Sequence, residues 1–72
     1  MNDILSIRKR LGLQQVEFAE AIGVSQGNVS HYETERNDPS PDVGLRVVAL
    51  AKSRGVLVTL EDVFAAPGSF SI

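Results

Sequence analysis

The chain has 72 residues, a formal net charge of −2 and no cysteine. This length holds one small domain, and a chain without cysteine has neither a disulfide nor a thiolate–metal cross-link to stabilise it. No apolar run approaches the 18 residues of a membrane-spanning helix, and the first residues lack the basic and then apolar start of a signal peptide, so we expect a cytoplasmic protein without membrane contact.

The first third of the chain predicts two short helices. Asn2 or Asp3 can cap the first helix, and Gly12 ends it. The second helix starts near Gln15 and stops at Gly23. Apolar residues recur at helical spacing in both segments, at Ile4, Ile7 and Leu11 and then at Val16, Phe18, Ala19 and Ile22.

A third and a fourth helix are predicted on either side of a proline-rich loop. Ser25 is a good N-cap for a helix that runs to about Glu35. Residues 37–41 combine asparagine, aspartate, serine and two prolines, which predicts a loop. Ser40 then caps a fourth helix, in which Gly44 costs about 0.5–1 kcal/mol relative to alanine. Its apolar positions are Val43, Val47 and Leu50.

The last third predicts a connector, a short helix and a tail. Residues 56–58 are apolar and β-branched at both ends, which favours extended backbone. Thr59 and Asp62 have the spacing of a capping box, so residues 60–65 are predicted as a fifth helix. The prediction is an all-α domain of four or five helices over residues 1–66, followed by a C-terminal tail over 67–72. Residues 69–72 of this tail are predicted to be loose, although Phe70 and Ile72 could dock.

One stretch of the chain, residues 15–34, carries a specific pattern, Q-x3-A-x3-G-V-x4-V-x2-Y. It is formed by Gln15, Ala19, Gly23, Val24, Val29 and Tyr32. This pattern resembles the helix-turn-helix of the phage repressor and Cro family, also called the xenobiotic-response-element type. The resemblance implies a compact lambda-repressor-like DNA-binding domain, with the helix-turn-helix at helices 2 and 3. It further implies a transcriptional regulator, in particular a Cro-like repressor that acts by promoter occlusion.

The outward face of the third helix is uncharged, short-chained and rich in hydrogen-bond donors and acceptors. With Val29 and Tyr32 facing inward, a helical wheel leaves these polar residues on the outside. Such groups suit base edges in the major groove, although a polar helix face is also common on ordinary surfaces. Together with the resemblance, the face predicts DNA base contacts from Gln26, Gly27, Asn28, Ser30, His31 and Thr34.

Residues around this helix are candidates for holding the DNA backbone. The resemblance implies that Gln15 contacts a phosphate, although a residue at a helix start can equally bond to its own backbone. It also implies that Arg8 pairs with Glu33 and so orients the recognition helix, where the alternative is two independent surface charges. The predicted phosphate contacts are Gln15, Ser25, Lys9, Arg10 and Arg36.

The predicted partners are double-stranded operator DNA and a second copy of the chain. A two-fold dimer reads two half-sites about 34 Å apart, one helical turn of DNA. Apolar residues beyond the minimal domain predict that the dimer forms through the C-terminal region, at Val56, Leu57, Val58 and Phe64.

Other functional classes have less support in the sequence. His31 is the single histidine, no cysteine nucleophile exists, and no glycine-rich phosphate loop is present, so we expect neither an enzyme with catalytic residues nor a cofactor or metal site. The alternative to a DNA reader is a protein-binding module on the same fold, such as an antitoxin-like or anti-repressor partner.

Overall fold

The computed structural model describes residues 1–70, which form five α-helices and contain no β-strand. The helices are α1 (Ile4–Leu11), α2 (Gln15–Ile22), α3 (Gln26–Glu33), α4 (Pro41–Ser53) and α5 (Leu60–Val63). The predicted all-α class, with a close pair formed by the second and third helices, is confirmed. Two helices are shorter than predicted: α3 ends before Glu35, whose φ of 64° is left-handed, and α5 ends before Phe64.

The starts of α3, α4 and α5 use the capping residues that the sequence predicts. Ser25 Oγ accepts the backbone N–H of Asn28 at 3.1 Å at the start of α3, and Ser40 caps α4 in the same way. At the start of α5, Thr59 and Asp62 each accept the other's backbone N–H. These bonds satisfy donors that the first turn of a helix leaves without a partner.

A tight turn joins α2 to α3. Gly23 ends α2 with a φ of 74°, the left-handed conformation that the sequence predicts for it. The backbone N–H of Val24 donates to Ala19 O at 3.0 Å, which closes the turn. Ala19 is buried, and its small side chain allows α3 to approach α2 closely. The turn therefore sets the direction of α3 relative to the rest of the domain.

The core takes side chains from every helix and from the connector after α4. Phe18 and Val29 are fully buried, and Tyr32 is nearly so. Val16, predicted on the apolar side of α2, is instead 43% exposed, because it faces away from the side that carries Phe18. The buried apolar residues are Ile4, Ile7, Leu11, Leu13, Phe18, Ala19, Ile22, Val29, Tyr32, Val47, Ala51, Val56, Val58 and Val63.

Gly44 lies where α4 crosses α5. A Cβ atom on Gly44 would come within 2.9 Å of Leu60 Cδ1 and 3.0 Å of Phe64 Cε2. Both atoms belong to side-chain ends that would have to move aside for a larger residue, so glycine lets α4 and α5 cross without that adjustment. The sequence shows that Gly44 lowers the helix propensity of α4. Only the structure shows that Gly44 lies in the contact between α4 and α5.

The side-chain orientations in the connector between α4 and α5 differ from part of the predicted dimer surface. Side chains alternate along its extended backbone, so Val56 and Val58 point into the core while Leu57 is 84% exposed. Phe64 is half-buried and packs against the core beside Gly44. The prediction that Val58 belongs to a dimer interface is wrong, because a side chain that fills its own core is not available to a partner. Val56 is a core residue that also borders the open groove beside Leu57.

The segment after α5 is attached to the start of the chain, at least as far as Phe70. Asp3 does not cap α1 with its side chain; instead its carboxylate accepts the backbone N–H groups of Gly68 at 2.7 Å and Phe70 at 2.6 Å. Phe70 packs against the core. Residues 68–70 are therefore not loose, whereas the predicted docking of Ile72 lies outside the described residues.

Candidate nucleic-acid interface

The exposed face of α3 carries polar side chains without formal charge. Val29 and Tyr32 bury the opposite face between α1 and α2, which fixes the rotation of α3 about its axis. The residues predicted to contact bases all lie on the outside. Gln26, Gly27, Asn28 and Thr34 are exposed, and Ser30 and His31 are half-buried.

Most hydrogen-bonding groups on this face remain available to a ligand. Thr34 Oγ1 donates to Ser30 O at 3.0 Å, so this hydroxyl keeps only its acceptor lone pairs free. The side chains of Asn28 and His31 make no hydrogen bond within residues 1–70. Gln26 makes one long contact, 3.5 Å from its Nε2 to Gln15 Oε1. A carboxamide and an imidazole are therefore free to pair with a base edge.

A chain of polar contacts links α1 to the start of α3. Arg8 Nε donates to Glu33 Oε2 at 2.6 Å, and Arg8 Nη2 donates to Glu33 Oε1 at 3.2 Å. Gln15 Nε2 also donates to Glu33 Oε1, at 2.9 Å, and Gln15 Oε1 faces Gln26. The structure thus brings together Arg8, Gln15, Gln26 and Glu33, which come from three helices.

The Arg8–Glu33 pair is mostly removed from solvent. The Arg8 side chain is 15% exposed and the Glu33 side chain 7%. Arg8 Nη1 also donates to Leu13 O at 2.9 Å, so the guanidinium bonds both to α3 and to the loop after α1. Removing two charges from water offsets most of their attraction, so such a pair fixes geometry more than it adds stability. The contact restrains the position of α3 against α1.

The three basic side chains predicted to contact phosphates are exposed and, among residues 1–70, not neutralised by an ion pair. Lys9 and Arg10 are exposed in the last turn of α1, and Arg36 is exposed just after α3. Within the part of the chain that the structure describes, none of the three forms an ion pair. Of the other predicted phosphate contacts, Ser25 Oγ already accepts a backbone N–H, and Gln15 is half-buried with one amide proton used. Each retains groups that can still meet a phosphate.

The C-terminal end of α3 is held by a second set of contacts. Glu35 has a left-handed φ of 64°, and the backbone N–H groups of Arg36 and Asn37 then donate to His31 O. Asn2 Nδ2 donates to Tyr32 O and to Asp38 Oδ1, both at 3.0 Å. The hydrogen bond from Asn2, with the nearby N-terminal ammonium, lowers the pKa of Asp38 below its usual range.

Two residues that the sequence did not single out take part in positioning the interface. The sequence identifies Asn2 only as a possible helix cap, because its contacts to residues 32 and 38 are too distant in sequence for a local pattern to reveal. Arg46 of α4 donates from Nη1 to Ile22 O at 3.2 Å, which satisfies a carbonyl at the end of α2. Arg46 also pairs with Asp42 one turn earlier.

The remaining described surface shows few features that point to other chemistry. Within residues 1–70, no three histidine, aspartate or glutamate side chains are grouped as metal ligands would be. In the same range, no helix has the length and apolar character needed to cross a membrane.

Comparison with known proteins agrees with the geometry of α2 and α3. A family model described as helix-turn-helix matches residues 4–52, which span α1 to α3 and nearly all of α4. No curated protein and no solved structure matches the chain. The family match covers well over half of the 72 residues and includes the whole polar face. The chain belongs to the Cro/C1-type helix-turn-helix family, whose members are DNA-binding transcription regulators.

Proposed function

We propose that this protein reads operator DNA in the major groove with α3 and represses transcription by covering a promoter. The observation that carries the proposal is the polar, uncharged face of α3, held outward by the buried Val29 and Tyr32. An α-helix fits the major groove, and carboxamides and imidazoles can bond to the edges of base pairs there. Gln26, Asn28, Ser30, His31 and Thr34 then contact bases, and Gly27 leaves space for the duplex to approach.

The DNA backbone is held at two edges of this face. Lys9 and Arg10 contact phosphates from the end of α1, and Arg36 does so from the loop after α3. Gln15 and Ser25 contact phosphates at the starts of α2 and α3, where the helix dipoles favour negative charge. Each phosphate contact adds affinity for any sequence and makes binding more sensitive to salt.

Random-site selection of duplex DNA by the purified protein tests this function. Gln26→Ala is expected to cost about 1–3 kcal/mol on the selected site and little on random DNA, because a base contact discriminates between sequences. Arg10→Ala is expected to weaken binding to all sequences alike and to lower the salt slope by about one. Failure to select any site would contradict the proposal, as would an equal loss of specific and nonspecific binding in Gln26→Ala.

Repression by occlusion has its own test. The test uses two DNA templates that distinguish occlusion from activation. The first has a single selected site across the promoter, and the second has the same site well upstream. We expect the protein to reduce transcription in vitro only from the first template. Reduction from both templates, or an increase from the upstream one, would contradict promoter occlusion.

We further propose that two copies of the chain form a two-fold dimer through Leu57. Leu57 is 84% exposed and stands on the rim of an open groove lined by Val48, Lys52, Gly55 and Val56. In the proposed two-fold contact each Leu57 occupies the partner's groove, so the same patch is used on both copies. Leu45, one turn before Val48 on α4, is 57% exposed and extends the apolar surface.

The site of this contact leaves the reading face free. In the described chain, α3 packs mainly on α1 and α2, whereas α4 packs on α5 and α2. The groove residues all follow residue 47, and the predicted DNA contacts all lie between residues 9 and 36. Dimerisation and DNA contact therefore use different residues.

The alternative function, a protein-binding module on the same fold, is favoured by the acidic residues near α3. Glu17 and Glu20 are exposed on α2, and the whole chain carries a net charge of −2. These carboxylates repel phosphates and would suit a basic protein surface. Binding to duplex DNA at low salt decides between the two functions, since a module that only binds protein would show none.

A further inference from the structure

Asn2 makes an unusually complete set of hydrogen bonds for a residue at the edge of a domain. The residue is 2% exposed, and every polar group on its side chain has a partner. Oδ1 accepts the backbone N–H of Ile4 at 3.1 Å, which supports the start of α1. Nδ2 donates to Tyr32 O and to Asp38 Oδ1. Asn2 therefore joins the start of α1 to the end of α3.

The contacts of Asn2 bracket the loop that carries Arg36. The backbone N–H of Asn2 donates to Glu35 Oε1 at 3.2 Å, and its side chain bonds to Asp38 two residues beyond Arg36. Glu35 holds a left-handed φ of 64°, which costs a residue other than glycine free energy and needs support from its surroundings. The same turn allows the Arg36 N–H to reach His31 O at 2.9 Å.

We infer that Asn2 is a positioning residue for DNA binding, which holds residues 35–38 so that the Arg36 side chain is presented to a phosphate. This inference rests on the proposed function, because it assigns a role within the DNA contact. Asn2 touches no base and no phosphate in this arrangement. We therefore expect loss of the Asn2 contacts to reduce the number of phosphates that the protein contacts, and to leave its preference among base sequences unchanged.

The test compares Asn2→Asp with Asn37→Asp. Aspartate at position 2 keeps an acceptor for the Ile4 N–H but removes both donors, whereas Asn37 is exposed and its side chain makes no hydrogen bond in the described chain. Both variants replace a neutral amide by a carboxyl group in the same region, so Asn37→Asp is the chemically matched control for Asn2→Asp. We expect the salt slope of Asn2→Asp to be about 0.9 lower than that of Asn37→Asp, the loss of one phosphate contact.

A double variant shows whether the loss passes through Arg36. Arg36→Ala alone is expected to lower the slope by the same amount, and adding Asn2→Asp should lower it no further, because the contact is already gone. The preferred DNA sequence should not change in any of these variants. Equal slopes for Asn2→Asp and Asn37→Asp, or effects of Asn2→Asp and Arg36→Ala that add, would overturn the inference.

A second variant avoids placing a charge in a buried site. Asp38→Ala removes an exposed partner of Asn2, and Asp42→Ala removes a similarly exposed carboxylate in the next helix. We expect the slope to fall for Asp38→Ala and to stay unchanged for Asp42→Ala. This pair decides the question if Asn2→Asp does not fold, and equal slopes for the pair would then overturn the inference.

Amide hydrogen exchange in the free protein separates this inference from the proposed function. In Asn2→Asp, the Arg36 and Asn37 amides should exchange faster relative to the slowest core amides, while in Asn37→Asp the Arg36 amide keeps its protection. A protein that binds no duplex would contradict the proposed function, yet this measurement would still show whether Asn2 holds the loop. Unchanged protection at both amides in Asn2→Asp would overturn the inference.

Discussion

Gly23 and Gly27 lie four residues apart in the helix-turn-helix but have different structural reasons to be glycine. Gly23 has a φ of 74°, a value that residues other than glycine rarely adopt. Gly27 lies in the first turn of α3 with helical backbone, and a Cβ there would meet nothing closer than Ser25 Oγ at 3.8 Å. The backbone conformation of the turn therefore requires glycine at position 23. Nothing in the fold of residues 1–70 requires glycine at position 27, which leaves contact with DNA as a possible reason for it.

Gly23→Val tests the turn. A β-branched residue at positive φ is expected to lower the free energy of unfolding by about 1–3 kcal/mol. The added Cβ would also come within 2.9 Å of Arg46 Nη1, so Arg46 must shift away from Ile22 O. Urea unfolding followed by circular dichroism measures the change. An unfolding midpoint equal to that of the unsubstituted protein would show that the turn does not need glycine.

Gly27→Ala tests the opposite case. Alanine is favoured over glycine in a helix by up to about 1 kcal/mol, and the site has room for the methyl group, so stability should rise slightly. We expect weaker binding to the selected DNA site nonetheless, because the methyl group stands where the duplex approaches. Unfolding and DNA titrations on the same sample show both effects. Unchanged binding would mean that Gly27 is only a neutral choice at a helix start.

At the scale of the elements, local chemistry predicts the helices well and their contacts poorly. Ser25, Ser40 and Thr59 each act within four residues of their partner, so the sequence alone places these helix starts. Asp3 has the local signature of a cap, yet its carboxylate binds backbone more than 60 residues away. No local pattern shows whether an aspartate caps its own helix or bonds to distant backbone, because that depends on which segment packs beside it in the folded chain.

The face of α3 was more predictable than the connector, for a physical reason. A helical period with two inward residues determines the outward set, so the exposure of Gln26 and Asn28 follows from the sequence. The connector has three apolar residues in a row, and either face could have been the inner one. Only packing against α4 and α5 reveals that Val58 is buried and Leu57 is not.

The crossing of α4 and α5 provides a prediction at this scale. Gly44→Ala gains helix propensity, but its Cβ would overlap Leu60 and Phe64. Leu60 is 38% exposed and can move aside, but the Phe64 ring packs against the core and resists the methyl group. Overpacking typically costs about 1–3 kcal/mol and the propensity gain is about 0.5–1 kcal/mol, so we expect a net loss of stability. Thermal unfolding of Gly44→Ala measures it.

The control for Gly44→Ala is a double variant with Leu60→Ala. Leu60 is 38% exposed, so its truncation alone should cost little, and it removes the side-chain atom nearest to the new methyl group. The two substitutions together should therefore be less destabilising than the sum of their separate effects. Strict additivity would show that the close approach at Gly44 does not limit the packing of α4 on α5.

At the scale of the whole molecule, size limits how two copies can meet. The Cα atoms extend over 27 × 24 × 21 Å, and recognition helices in a two-fold dimer on DNA stand about 34 Å apart. A standard interface buries about 800 Å² on each partner, roughly a fifth of the 4091 Å² surface of this chain. The groove beside Leu57 involves five residues and supplies less than that, so we expect a weak dimer that is completed on the operator.

A comparison of the variants Leu57→Asp and Val58→Asp tests this dimer, because the two neighbouring side chains face in opposite directions. Leu57 is 84% exposed and Val58 is 1% exposed, so a carboxylate should leave the fold intact at position 57 and unfold the domain at position 58. If Leu57 fills the partner's groove, Leu57→Asp retains its helical circular dichroism and its affinity for a single half-site. Its affinity for the two-fold site should fall to that expected for two independent monomers, because the charge must be desolvated in the groove. Titration of half-site and palindromic duplexes, with sedimentation of the free protein, measures these quantities. Cooperative binding to the palindrome that survives in Leu57→Asp would place the contact between protomers elsewhere on the molecule.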